Sequence, residues 1–237
     1  MNSILRIGLA LVCMGLGNTG AADAVSEQTG VLSGLISQVQ ELQRGQRYVE
    51  ALLKLEEIEK SFPESADVCI IRGSIHMAPS IRDFAAAEAS FSKAAALKPG
   101  TMAPVFNLAE LQFVKHEWKE AKKQFEALMT AFPQMPQALR HLVLFKVLLC
   151  QLKLEDVKGA EAVLAGHFTF MDDTPAYYMS KAALAFQAKN ETMAQEWLEK
   201  ARVIFGANHV ASYLDSLMEA RWVPNIGLPP VSAEPNK

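Results

Sequence analysis

Five histidines, three cysteines and a pair of adjacent aspartates are the residues of this 237-residue chain whose types most readily carry metal binding, proton transfer or nucleophilic attack. Their spacing argues against each use. His76, His116, His141, His167 and His209 form no HxxxH or HExxH pair, so neither a zinc-protease helix nor a simple two-ligand helical site is encoded. A catalytic constellation would have to assemble from distant segments, and there is no GxSxG elbow, phosphate loop or dinucleotide fingerprint. Asp172 and Asp173 adjoin, but a calcium site needs several more oxygen ligands at defined spacing, so they read as a cap and turn before Pro175. Cys69 and Cys150 lack CxxC spacing and lie in apolar stretches, as small buried hydrophobes do. No catalytic residue, metal ligand or cofactor is expected, and the chain is read as a non-enzyme.

What the chain does repeat is a packing pattern. Tyr48, Ala51, Leu55 and Pro63 form one copy of an aromatic residue, a small residue three on, a large apolar residue four later and a closing proline. Phe84, Ala87, Phe91 and Pro99 form the second, and Trp118, Ala121, Phe125 and Pro133 the third. The small residues Ala51, Ala87 and Ala121 lie 36 and 34 residues apart, and Ala194 lies 34 beyond Ala160, the period of a helix-turn-helix solenoid. Ala121 to Ala160 is 39, which a one-turn insertion in a long first helix from Pro136 to Leu152 explains. Half of the residues are hydrophobic and 21% are charged, an ordinary globular balance, and no strictly alternating strand pattern competes with the helical one. A net charge of −3, spread over mixed signs, leaves no positive field for phosphates and argues against nucleic acid.

With Leu108-Ala109, Trp118, Glu120-Ala121, Phe125 and Pro133 at their intervals, residues 31–222 resemble the tetratricopeptide-repeat family. The resemblance implies an all-α, right-handed helix-turn-helix solenoid of about five helix pairs, closed by a C-terminal capping helix from about His209 to Trp222. The fifth pair keeps Tyr178, Ala182, Ala194, Leu198 and Ala201 but has Glu191 for the aromatic residue and Gly206 for the proline. Small residues such as Ala109 and Ala121 would let antiparallel helices meet, and Gly73 would do the same in the second pair. Stacked units would also hold Cys69 and Cys150 too far apart for a disulfide, which needs Cα atoms within roughly 7 Å.

The first helix of each pair lines the concave face in this family. Carried over by position, that face would present Ile70, Ser74 and Met77, then Phe106, Glu110 and Phe113, then Phe145, Leu149 and Leu152, then Met179, Ala183 and Phe186. The expected partner-binding groove is therefore apolar: Ile70, Met77, Phe106, Phe113, Phe145, Leu149, Met179 and Phe186, with Glu110 and Lys146 orienting a bound protein or peptide segment. The Lys, Asn and Arg set with which some members grip a chain terminus is absent. Some of these apolar groups would instead pack between helices, as a solenoid core requires. The leading expectation is a protein-interaction scaffold. An accessory subunit of an outer-membrane, pilus or secretion machine is the close alternative, and a helical small-ligand binder or enzyme using the 166–174 loop is the remote one.

The ends differ from the middle. Arg6, the apolar run from Ile7 to Gly17 and Ala22-Asp23-Ala24 read as a cleaved signal peptide over residues 1–24, too short to span a bilayer in the mature chain. Cys13 lacks the small residue expected ahead of a lipidated cysteine. Export to the periplasm or envelope of a bacterium follows. Residues 25–30 are expected as a linker, and the proline-rich residues 223–237 as an extended tail.

Overall fold

The computed structural model describes residues 22–223, with side chains from residue 30 onward, so nearly all of the expected signal peptide and tail lie outside the described residues. Ten helices follow one another: α1 (Ala22–Arg44), α2 (Tyr48–Ser61), α3 (Ala66–His76), α4 (Phe84–Leu97), α5 (Met102–Val114), α6 (Trp118–Ala131), α7 (Gln137–Lys153), α8 (Val157–His167), α9 (Ala176–Gln187) and α10 (Glu191–Glu219). Among the described residues there is no strand. Each helix packs on the next, and the first helices of neighbouring pairs also touch, α3 on α5 and α7 on α9. This is the expected solenoid. One boundary differs: α1 starts at Ala22, so residues 25–30 are helical rather than a linker. The good helix formers Glu27 and Gln28 outweigh the cost of Gly30, roughly 1 kcal/mol in a helix interior.

The repeat is written most plainly in the turns. Gln46, Arg82, His116, Glu155 and Lys189 all adopt positive φ, one in the turn inside each helix pair. They stand 36, 34, 39 and 34 residues apart, each five before its small residue Ala51, Ala87, Ala121, Ala160 or Ala194. In four of these turns the next amide donates to a carbonyl five residues back, as Glu117 does to Gln112 at 2.9 Å, which satisfies an orphan carbonyl at the helix end. The second turn is wider. There Asp83 donates to His76, seven residues back, because Ala78-Pro79-Ser80 inserts two residues. That insertion is the physical origin of the 36-residue spacing.

All five small residues are fully buried, as is Ala109. At Gly73 a Cβ would lie 2.5 Å from the Phe91 ring, so α3 and α4 meet through glycine. Ala121 is wholly buried in the core of the third pair. Ala121→Leu is expected to lower stability by about 1 to 3 kcal/mol through overpacking. Thermal and urea melts read this directly, and an unchanged midpoint would mean that the third pair is out of register.

Four apolar clusters result among the described residues. Val39, Leu55, Ile58, Val68 and Ile75 join the first pair to α3, two small clusters around Phe91 and Ala94 hold α4, and the largest runs from Met102 in α5 to Ala220 beyond α10. Cys69 and Cys150 are free and buried, and burial pushes the Cys150 thiol up to about 12, which makes it inert as a nucleophile.

The expected capping helix is present and reaches further than the last pair. α10 is broken at Gly206, where φ 76° and ψ 160° fall in a region open to glycine alone. Beyond it the chain does not simply cover the last pair. It also packs on α7 and reaches the turns of the second and third pairs.

Candidate functional site

The ten expected groove residues fall into three groups. Phe106, Glu110, Phe113, Phe145, Lys146, Leu149 and Met179 come together on and beneath one face of α5, α7 and α9, and all are buried. Phe186 is partly buried against the same core. Met77 belongs elsewhere, packed with Ala87, Phe91 and Leu111, and Ile70 is buried in another cluster with Ala66, Cys69 and Ala94. The face exists, but it is not an open apolar groove. Phe113 is wholly buried beside Trp118 (5.2 Å between ring centroids) and Phe125 (6.4 Å), and Phe106 meets Phe125 at 6.1 Å. These rings belong to the junction of α5 with α6. The reason is steric: on a 13-residue helix flanked on several sides, positions seven apart can serve the pair interior as well as its inner face.

The terminal part of α10 occupies what remains of that face. Tyr213 packs on Phe145 at 5.1 Å, and Val210, Leu214 and Leu217 are buried. At the centre, Lys146 donates to Glu110 (2.8 Å) and to the Ser216 hydroxyl (2.8 Å), with its ammonium 4.6 Å from the Phe113 ring centroid. Both members of this ion pair are about 95% removed from solvent, their side chains 5% and 6% exposed. So deep a pair persists because its hydrogen bonds are met and a ring face stabilises the cation. At the rim Arg82 donates to both carboxylate oxygens of Glu219 at 3.1 Å, and His116 Nε2 donates to the Glu219 carbonyl at 2.9 Å. That carbonyl is one of those a helix end leaves without an intrahelical partner. His116 is itself stacked on Trp118, and Lys153 sits 3.9 Å from the Trp222 ring centroid. Arg82 and His116 are two of the positive-φ turn residues, so the repeat geometry itself aims both side chains at one helix end.

Sequence reasoning named Glu110 and Lys146 but missed Arg82, His116, Tyr213, Ser216 and Glu219. The one available signal was the terminal helix itself, with Val210, Leu214 and Leu217 at helical spacing.

The 166–174 loop is closed on itself. Phe168 is buried edge-on to His141 at 5.3 Å, and Thr174 is hydrogen-bonded to His141 Nδ1 at 2.7 Å. Asp172 accepts from the Thr169 amide and hydroxyl, at 2.7 and 3.1 Å, which makes it a turn closure rather than a helix cap. His167 is exposed. Burial holds the His141 pKa below its ordinary value, with His167 and Arg140 adding to the effect and Asp172 opposing it. A histidine depressed in the folded state contributes stability above its unfolded pKa of about 6.5 and loses it as pH falls through the lower folded value. His76 is depressed by burial as well. The melting temperature is therefore expected to fall on acidification from pH 7 to about pH 5, and His141→Gln should flatten that slope. An equal slope in the variant would remove His141 as a source.

A second concavity, about 550 Å³, lies where the N-terminal ends of α3 and α5 meet the turn into α7. Ile70, Met102, Phe132 and Met135 line it, with Asp67 and Lys98 among its polar residues. Among the described residues no helix is long and apolar enough to cross a membrane, and no group of three or more His, Cys, Asp or Glu side chains is placed to hold a metal ion.

No protein-family model and no curated protein sequence matches the chain. Solved structures do. Pseudomonas aeruginosa PilF is similar at 14% identity and a TM-score of 0.58, over 82% of this chain and 85% of that one. PilW, described as a widely conserved type IV pilus biogenesis factor, is similar at 20% identity and a TM-score of 0.59, over 81% of this chain and 88% of that one. At such identities the likeness is one of fold. With the five equivalent turns and five buried small residues, it makes residues 22–223 a helical solenoid of the tetratricopeptide-repeat type.

Proposed function

We propose that the protein is an exported, non-enzymatic scaffold that holds a protein partner within a bacterial envelope assembly of the type IV pilus kind. The observation that carries this is the shared fold with PilW, which extends over some four-fifths of both chains and so concerns the whole solenoid rather than one helix pair. Solenoids of this kind offer extended surfaces rather than closed pockets, and function resides in which side chains those surfaces present. The leader-like residues 1–24 support export, and the absence of a catalytic motif supports a binding role.

The test is chemical cross-linking in the producing bacterium, followed by capture of the protein from the envelope fraction and N-terminal sequencing of what is captured. A mature start near Val25 and cross-links to pilus or secretion components are expected. Protein that retains Met1 and is recovered from the cytosol would overturn the reading.

A further inference from the structure

The last part of α10 is built as a separable unit. It joins the rest of the chain at Gly206, and residues 206–209 are all exposed. From there the helix is swallowed: residues 213–217 are all buried, which is more than a full turn enclosed on every side. A cap serving only the last pair would rest on that pair alone. This helix, besides the packing of α10 on α9, is bonded to Arg82, His116 and Lys146, which belong to the second, third and fourth pairs.

The chemistry of the seat suits an occupant that leaves and returns. Lys146 and Glu110 bond each other, so both charges stay paired when the helix departs and Lys146 loses its contact with the neutral Ser216 hydroxyl. That avoids the uncompensated buried charge which makes breaking most buried pairs so unfavourable. Arg82 keeps 37% of its side-chain surface exposed and therefore needs little rehydration. His116 retains its stack on Trp118. What departure exposes is largely apolar, Tyr213, Leu214 and Leu217 on the helix and the Phe145 ring beneath them, together with the Asp215 carboxylate and Ser216 hydroxyl of the helix itself. The favoured event is thus exchange for another helix rather than opening to water.

We infer that this face of α5 and α7 is a helix-binding groove whose resident occupant is the chain's own terminal helix, and that the protein partner enters as an amphipathic helix in exchange for it. The resident defines the pattern the groove accepts: an aromatic residue as at Tyr213, a hydroxyl three positions on as at Ser216, an aliphatic residue four on as at Leu217 and a carboxylate six on as at Glu219. This rests on the scaffold reading above and names the class of its partner. A tethered resident acts at millimolar effective concentration, so a partner helix must bind more tightly than the resident to prevail.

Two measurements on the full chain test the inference. In Glu219→Ala, which removes the Arg82 contact at the rim, amides 210–219 should exchange with deuterium about ten-fold faster than in the parent while α5 and α7 keep their rates. Equal acceleration of all three, or of none, overturns the proposal. A fluorescein-labelled peptide of residues 207–223 should bind the Glu219→Ala chain several-fold more tightly than the parent chain, because weakening the resident frees the groove. A peptide carrying Leu217→Asp should bind neither. Failure of the parent peptide to bind either chain, or equal binding by both, overturns the proposal. The peptide reads the groove and envelope cross-linking reads the scaffold role, so the two fail separately.

Discussion

Lys146→Ala is expected to destabilise the protein by about 3 to 5 kcal/mol, the cost of leaving a buried carboxylate without its partner. Glu110 is only 6% exposed and would lose its ammonium at 2.8 Å, while Ser216 would lose a donor and Phe113 its cation. Urea denaturation at pH 7 gives the value. Lost packing alone would produce a similar number, so a second variant separates the causes. Replacing both partners by apolar residues of similar volume, Lys146→Met with Glu110→Leu, removes the stranded charge, and such replacements are often neutral or stabilising. The double variant is expected to recover most of the loss. If it is no more stable than Lys146→Ala, the ion pair is not the origin of the effect.

Phe113→Ala carries an expected loss of similar size, about 3 to 5 kcal/mol, as removal of a fully buried phenylalanine does. The ring has no exposed surface and touches Trp118, Phe125 and the Lys146 ammonium. A groove anchor would behave otherwise, with weakened partner capture and a near-parental melt. Because Lys146 and Phe113 are in contact, their substitutions should not add: the double variant is expected to depart from the sum by about 0.5 kcal/mol or more. Strict additivity would show that the ammonium and the ring do not interact.

Much of the fold was legible because it is local. Each unit places small residues at a helix crossing, large ones beside them and a turn of fixed shape, all within about 34 residues. Ala51, Ala87, Ala121, Ala160 and Ala194 are all fully buried for that reason. Even the irregular spacings were readable, since two extra residues around Pro79 and one extra turn in α7 change length without changing register. The start of α1 was less so. Its first residues have no repeat partner, and moderate helix propensity alone carried the helix back to Ala22.

The candidate site was legible only by halves. Position on the inner helices picked out Phe106, Glu110, Phe145 and Lys146, because a repeat assigns each residue to a face. Whether that face was open was not encoded in the same way. The terminal helix docks through pairs 70, 103 and 137 residues apart in the chain, Lys146 with Ser216, His116 with Glu219 and Arg82 with Glu219. Such contacts have no period. Residues 213–217 are buried all round, so Asp215 and Ser216 sit inside where a one-sided helix would expose them. The sequence by itself determined the units, their register and the absence of catalytic motifs, because those follow from neighbours along the chain. Only the tertiary structure decided where the last helix goes, because that depends on the curvature of the stacked pairs, which brings two distant turns and a buried ammonium to a single helix.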